Sequence, residues 1–178
     1  LEKFRKRLEE LKIRRYVGQK AVTPFLAMEG QLPEDEVYRQ APEHVEGGLF
    51  DINDIFVGRN RYLWLEKEAQ LPQKKEGCSI VGLFDFGETG GGVNSGFESL
   101  LYVNKHPYQG VDTFHQEVFL DDYAGEKINL TFLLWTGLEG GGPHRNFYHR
   151  CKQAHIGYLH KKTDELFYFG RLVEATFK

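Results

Sequence analysis

The stretch KINLTFLLW (127–135) decides the fold. Ile128, Leu130, Phe132 and Leu134 alternate with Asn129, Thr131 and Leu133, the period-two pattern of a strand that lays one face on a core. CSIVGLFDF (78–86) repeats the pattern, with Ile80, Gly82 and Phe84 opposed to Val81, Leu83 and Asp85. Working outward, strand-like runs recur at 61–71, 97–104, 107–111, 115–120 and 150–161. They are rich in β-branched and aromatic residues and are separated by Gly, Asn, Asp and Pro. Asn104-Lys105-His106-Pro107 reads as a tight turn, and 121–126 as a longer one. Strands in succession without intervening helices favour a mainly β chain, an antiparallel β-sandwich rather than a parallel α/β sheet.

The flanks read differently. In EKFRKRLEELKIRR (2–15), Phe4, Leu8 and Leu11 stand on one stripe of a helix, expected to pack on the domain. From 16 to 48 Pro24, Pro33 and Pro42 break any period, which predicts an extended connecting segment. At the other end Thr163 can cap a helix over 163–177, with Asp164 and Glu165 in its first turn. Its stripe, Leu166, Phe169, Val173 and Phe177 with Leu172 alongside, needs a partner outside the domain. The expected organisation is therefore helix and connecting segment over 1–48, sandwich over 49–162, and the start of a linker helix to a missing catalytic domain over 163–178. Leu1 at the first position and Met28 as the only methionine point the same way, to a piece of something larger.

Composition narrows the function. The chain has 178 residues, 23 Lys and Arg against 26 Asp and Glu, and a net charge of −3, which argues against nucleic-acid binding on a basic face. No apolar run approaches the roughly 18 residues of a membrane helix. Cys78 and Cys151 are far apart and form no CxxC pair, so free thiols and a cytoplasmic setting are expected.

Few constellations suggest chemistry. Gly87–Gly92 and Gly137–Gly142 each follow a strand, but neither has phosphate-loop spacing, and Glu88 and Glu139 inside them would repel phosphate. Both read as inter-strand loops. His144, His149, Cys151, His155 and His160 crowd one segment, yet on a 150–161 strand Cys151 and His155 would share a face while His160 points away, so they are read as structural or surface histidines rather than a metal site. The carboxylate pairs are all local in sequence, and no GxSxG or HExxH pattern occurs, so the chain by itself reads as non-catalytic. Trp64 and Trp135 lie within strands; aromatic faces stack on sugar rings as well as anchoring sandwich cores, and core packing is the favoured reading for both. Asp112 and His115 fall between strands, where polar side chains are free to contact a neighbour.

One stretch carries a resemblance. In FESLLYVNKHPYQGVDTFHQEVFL (97–120), the residues Glu98, Tyr102, Asn104, Gln109, Gly110, Val111, Asp112 and His115 match a hairpin motif, with Lys105 in place of the usual turn glycine. The run resembles the N-terminal non-catalytic domain of glycoside hydrolase family 38 α-mannosidases of the bacterial and vacuolar-type branch. Trp64-Leu65, Trp135-Thr136-Gly137 and the helix from Asp164 are similar too, so the likeness spans roughly 50–178. It implies a sandwich of galactose-binding-like, jelly-roll type, ahead of a zinc-dependent retaining catalytic domain that works with two carboxylates on α-mannosides. The implied partners are that catalytic domain, a mannose-containing glycan and a homo-oligomer, with neither nucleic acid nor membrane. Asp112 and His115 become candidates for an interdomain or substrate-cleft position. The family's metal motif, His-x-Asp-x-x-Trp, is absent: His155-Ile156-Gly157 has glycine where the aspartate belongs. No catalytic residue, metal ligand or cofactor is therefore assigned to this segment. A stand-alone carbohydrate-binding sandwich is the alternative.

Overall fold

β10 (Lys127–Trp135) lies at the centre of the molecule, flanked on one side by β5 (Tyr62–Gln70) and on the other by β7 (Glu98–Val103), both antiparallel. Its four alternating residues, Ile128, Leu130, Phe132 and Leu134, are almost wholly inaccessible to solvent. The computed structural model describes residues 1–31, 40–87, 97–137 and 147–177. The remaining strands are β1 (Tyr16–Ala21), β2 (Phe25–Gly30), β3 (Gly48–Phe50), β4 (Ile55–Gly58), β6 (Cys78–Asp85), β8 (His106–Asp112), β9 (Glu117–Phe119), β11 (Phe147–Arg150) and β12 (Gln153–His160). Helix α1 (Glu2–Arg14) precedes them and α2 (Lys161–Thr176) follows.

The strands form a six-stranded sheet in the order β3-β2-β5-β10-β7-β8 and a four-stranded sheet β1-β12-β6-β9, with β11 and β4 paired separately. All pairs are antiparallel, and the two larger sheets bury one shared core, so the expected antiparallel sandwich is the observed fold. Phe132 is the hub of that core. Phe84 from the opposite sheet approaches it at 4.7 Å between ring centroids, with Phe86 at 5.2 Å and Phe25 at 5.9 Å, in tilted or edge-to-face geometry. Each such side chain contributes roughly 1.5–3 kcal/mol by leaving water. A smaller cluster of Trp64, Tyr102 and Val45 covers part of the outer face of the six-stranded sheet.

Several expectations need correcting. Residues 16–48 are not merely a connecting segment. β1 pairs with β12, and β2 lies inside the larger sheet between β3 and β5. The sandwich therefore begins at Tyr16 rather than 49. Pro24 and Pro42 fall outside these strands, Pro33 lies outside the described residues, and five of the six β1 residues are exposed, which removes the alternation that would announce a strand. The run 150–161 is two strands, because the chain changes partner at Cys151: β11 pairs with β4, whereas β12 pairs with β6. Cys151 between them bonds through its amide to the Asp54 carbonyl at 3.0 Å.

Helix α2 starts earlier than expected. His160, not Thr163, is its N-cap, the ring Nδ1 accepting from the Thr163 amide at 3.3 Å. The face it turns to α1 is Phe167, Gly170 and Glu174, where Gly170 admits Leu8 and Glu174 accepts from Arg5 at 2.9 Å and Arg171 at 2.8 Å. Leu8 of the predicted α1 stripe is buried there. Leu166, Phe169, Leu172 and Phe177 stay exposed and Val173 is half-buried, so the described residues leave most of the apolar stripe read from the sequence uncovered. No described helix is long and apolar enough to cross a membrane.

Candidate functional site

The hairpin of β7 and β8 builds the edge that carries Asp112 and His115. Val103 pairs with His106 across Asn104 and Lys105, whose φ angles of 50° and 67° make a two-residue turn of the primed kind. Asn104 suits the left-handed region and also fastens the turn: its Oδ1 accepts from the Asn129 amide at 2.9 Å. A straight hairpin from this turn would set Glu98 opposite Val111. A bulge beyond Leu101 shifts the register by one, so Glu98 faces Asp112 while Val111 points into the core.

Asp112 ends β8 and organises the bend that follows. Its Oδ1 accepts from the Phe114 amide at 2.7 Å and the His115 amide at 2.8 Å, and His115 Nδ1 lies 3.0 Å from both carboxylate oxygens. Partial burial works against the charge, but the His115 ring and the two amides outweigh it and hold the carboxyl below its usual range. Asp112 is thus a fixed anionic acceptor and not a proton donor at neutral pH. His115 remains 70% exposed at its side chain. A cavity of about 410 Å³ opens beside it, lined by Glu98, Ser99, Gly110, Asp112 and Phe114 among others. Ser99 is no nucleophile there, since its hydroxyl donates to the Val111 carbonyl at 2.7 Å.

The other motif residues divide into two sets. Val111 and Tyr102 are buried, and burial pushes the Tyr102 phenol up. Gln109 ties the sheets together, its Nε2 donating to the Glu117 carbonyl at 2.9 Å. Glu98, Gly110 and His115 do none of this. Glu98 and His115 are exposed, and a Cβ placed on Gly110 would touch nothing.

The histidine and cysteine residues are not brought into one site. His149 is buried on β11, and its Nε2 donates to the Thr136 carbonyl at 2.8 Å. His160 caps α2, and His155 sits on β12 opposite Leu83. Cys78 and Cys151 are both free and buried; burial, then Asp51, Asp85 and Asp54, pushes the Cys151 thiol up to about 12. His149 and His160 already make structural bonds, whereas the buried Nδ1 of His155 meets no hydrogen-bond partner among the described residues. Among the described residues no group of three or more His, Cys, Asp or Glu could hold a metal ion. His144 and residues 88–92 and 138–142 of the glycine-rich segments, with Glu88 and Glu139, lie outside the described residues.

Trp64 is buried as expected, but Trp135 is not a core residue. Its indole stands half-exposed on the outer face, stacked on Tyr62. The register that aligns Glu98 with Asp112, and Trp135 with Glu98, escaped sequence reasoning because no residue type marks the bulge. Compared with known proteins, the chain matches no family model and no curated relative.

Proposed function

We propose that the chain is the non-catalytic N-terminal domain of a retaining, metal-dependent α-mannosidase, supporting the catalytic domain through its β7–β8 edge. The reading starts from the resemblance over 97–120. The observation that carries it is the position of Glu98, Gly110 and His115: motif residues with no packing role inside the sandwich, together on one open edge. Side chains that a fold does not use are accounted for when they meet a body outside it. The exposed apolar stripe of α2 supports the same arrangement. Zinc and the two working carboxylates belong to the catalytic domain in this reading, and the mannose-containing glycan reaches Asp112 and His115 only as the wall of its cleft. Two free cysteines, both buried, support a cytoplasmic setting.

Two measurements test the proposal. In the full enzyme, Asp112→Asn and His115→Ala should lower thermal stability or kcat/KM on an aryl α-mannoside; unchanged values for both would overturn the interdomain role. The purified 178-residue chain should not hydrolyse that substrate, and zinc-dependent turnover by it would overturn the non-catalytic assignment.

A further inference from the structure

The outer face of the six-stranded sheet holds a second feature, continuous with the Asp112 edge through Glu98. Trp135 pairs with Tyr62 on one side and Glu98 on the other, and Glu98 pairs with Asp112. Directly paired residues point to the same face of a sheet, so two aromatic rings and two carboxylates stand in one rung across four strands. The Tyr62 and Trp135 rings lie within 20° of parallel, with centroids 6.4 Å apart. Trp135 Nε1 donates to Asn60 Oδ1 at 2.9 Å, which fixes the indole without help from a ligand. Leu100 and Leu133, on the adjacent rung, join them in lining a cavity of about 310 Å³. That volume is at the lower end of small-ligand sites, about 300–1,000 Å³.

We propose that this rung binds a neutral pyranose ring, with its apolar C–H face against Trp135 and its hydroxyls donating to Glu98. The half-exposed Trp135 indole, held against Tyr62, offers an apolar surface that suits the C–H face of a sugar ring. An organic cation competing for the same aromatics would be held best by ring faces converging on one point, and this pair does not converge. Glu98 supplies what a sugar needs and an apolar ligand does not. It is exposed, no cation pairs with it among the described residues, and hydroxyl bonds to a carboxylate are stronger than neutral ones. The neighbouring part of the face is closed, because Trp64 and Tyr102 are buried with Val45.

Titration of the 178-residue chain with methyl α-mannopyranoside, methyl β-glucopyranoside and methyl β-galactopyranoside, followed by ligand-observed NMR, tests the proposal. At least one should bind saturably in the millimolar range, with Glu98→Gln weakening it about tenfold and Trp135→Leu abolishing it. Glu98 is exposed, so its replacement leaves the fold intact. Three results would each overturn the proposal. They are no saturation by any of the three sugars, undiminished binding by Glu98→Gln, and saturable binding of tetramethylammonium without binding of a sugar.

Discussion

Arg15 donates from Nε to Oδ1 of Asp164 at 2.6 Å, joining the residue that follows α1 to the first turn of α2. Its Nη2 donates to Glu117 on β9 at 2.9 Å, and the rings of Tyr16, Phe167 and Tyr168 lie 4.9–5.0 Å from the guanidinium carbon. The two arms are unequal. Burial opposes the charge of Arg15 but is outweighed by Asp164 and Glu117, so its pKa is raised; at Glu117 burial wins over Arg15 and pushes the carboxyl up. The shorter Asp164 bond is the stronger arm. Removing a buried cation strands its partners, so Arg15→Ala should cost about 3 kcal/mol or more in urea denaturation. Arg15→Lys should recover only part, since an ammonium lacks the planar fork that serves two carboxylates and stacks on rings. A loss below about 1 kcal/mol for Arg15→Ala would remove the clamp from this account.

Gly170 sets how closely the helices approach. A Cβ at this position would lie 2.3 Å from Leu8 Cδ2, inside any real contact distance, and Leu8 is itself buried. Alanine is the better helix former by about 1 kcal/mol, while overpacking costs roughly 1–3 kcal/mol. The steric term should win. Gly170→Ala is expected to lower the urea midpoint, and a raised midpoint would mean that Leu8 moves aside freely.

Lys105 occupies a left-handed turn position, where glycine would relieve about 1 kcal/mol of strain. Its ammonium, however, pairs with Glu66, which is 14% exposed at its side chain and also accepts from the Thr131 hydroxyl at 3.3 Å. Leaving a largely buried carboxylate without its cation costs about 1–3 kcal/mol. Lys105→Gly should therefore destabilise the wild-type background and stabilise one already carrying Glu66→Gln. The same sign in both backgrounds would contradict the pairing.

Burial holds His149 below the usual histidine range, only partly opposed by its bond to the Thr136 carbonyl. The folded chain therefore keeps this ring neutral where the unfolded chain begins to bind a proton, below about pH 6.5. Its contribution is fully present above that pH and declines as pH falls toward the folded value. Urea midpoints at pH 7 and 5.5 should drop in the wild type and drop less in His149→Gln; equal drops would assign the acid sensitivity elsewhere.

What could be read from the sequence depended on which faces are buried. β10 was legible to its end residues because Ile128 to Leu134 alternate between a sealed core and a half-covered outer face. β1 was illegible because a solvated edge strand has no contrast to display, and β2 nearly so, with only Phe25 fully buried. In α2 the apolar period was real but indicated the uncovered face. The covered one uses Gly170, for close approach, and Glu174, neutralised by two arginines, neither of which reads as core. Asp112 and His115 were identifiable as polar loop residues, but the alignment of Asp112 with Glu98, Trp135 and Tyr62 depends on strands far apart in the chain.

The bulge beyond Leu101 acts as a parity switch for everything past it. Deleting Tyr108, the residue the pairing skips, would remove the bulge and still leave Val111 opposite Ser99 and Asp112 opposite Glu98. Deleting Gly110, past the bulge, would instead turn Val111 out and Asp112 in, exchanging a core side chain for a carboxylate. This hairpin can thus lose a residue at the bulge itself but not beyond it, a constraint on its redesign that no single substitution reveals.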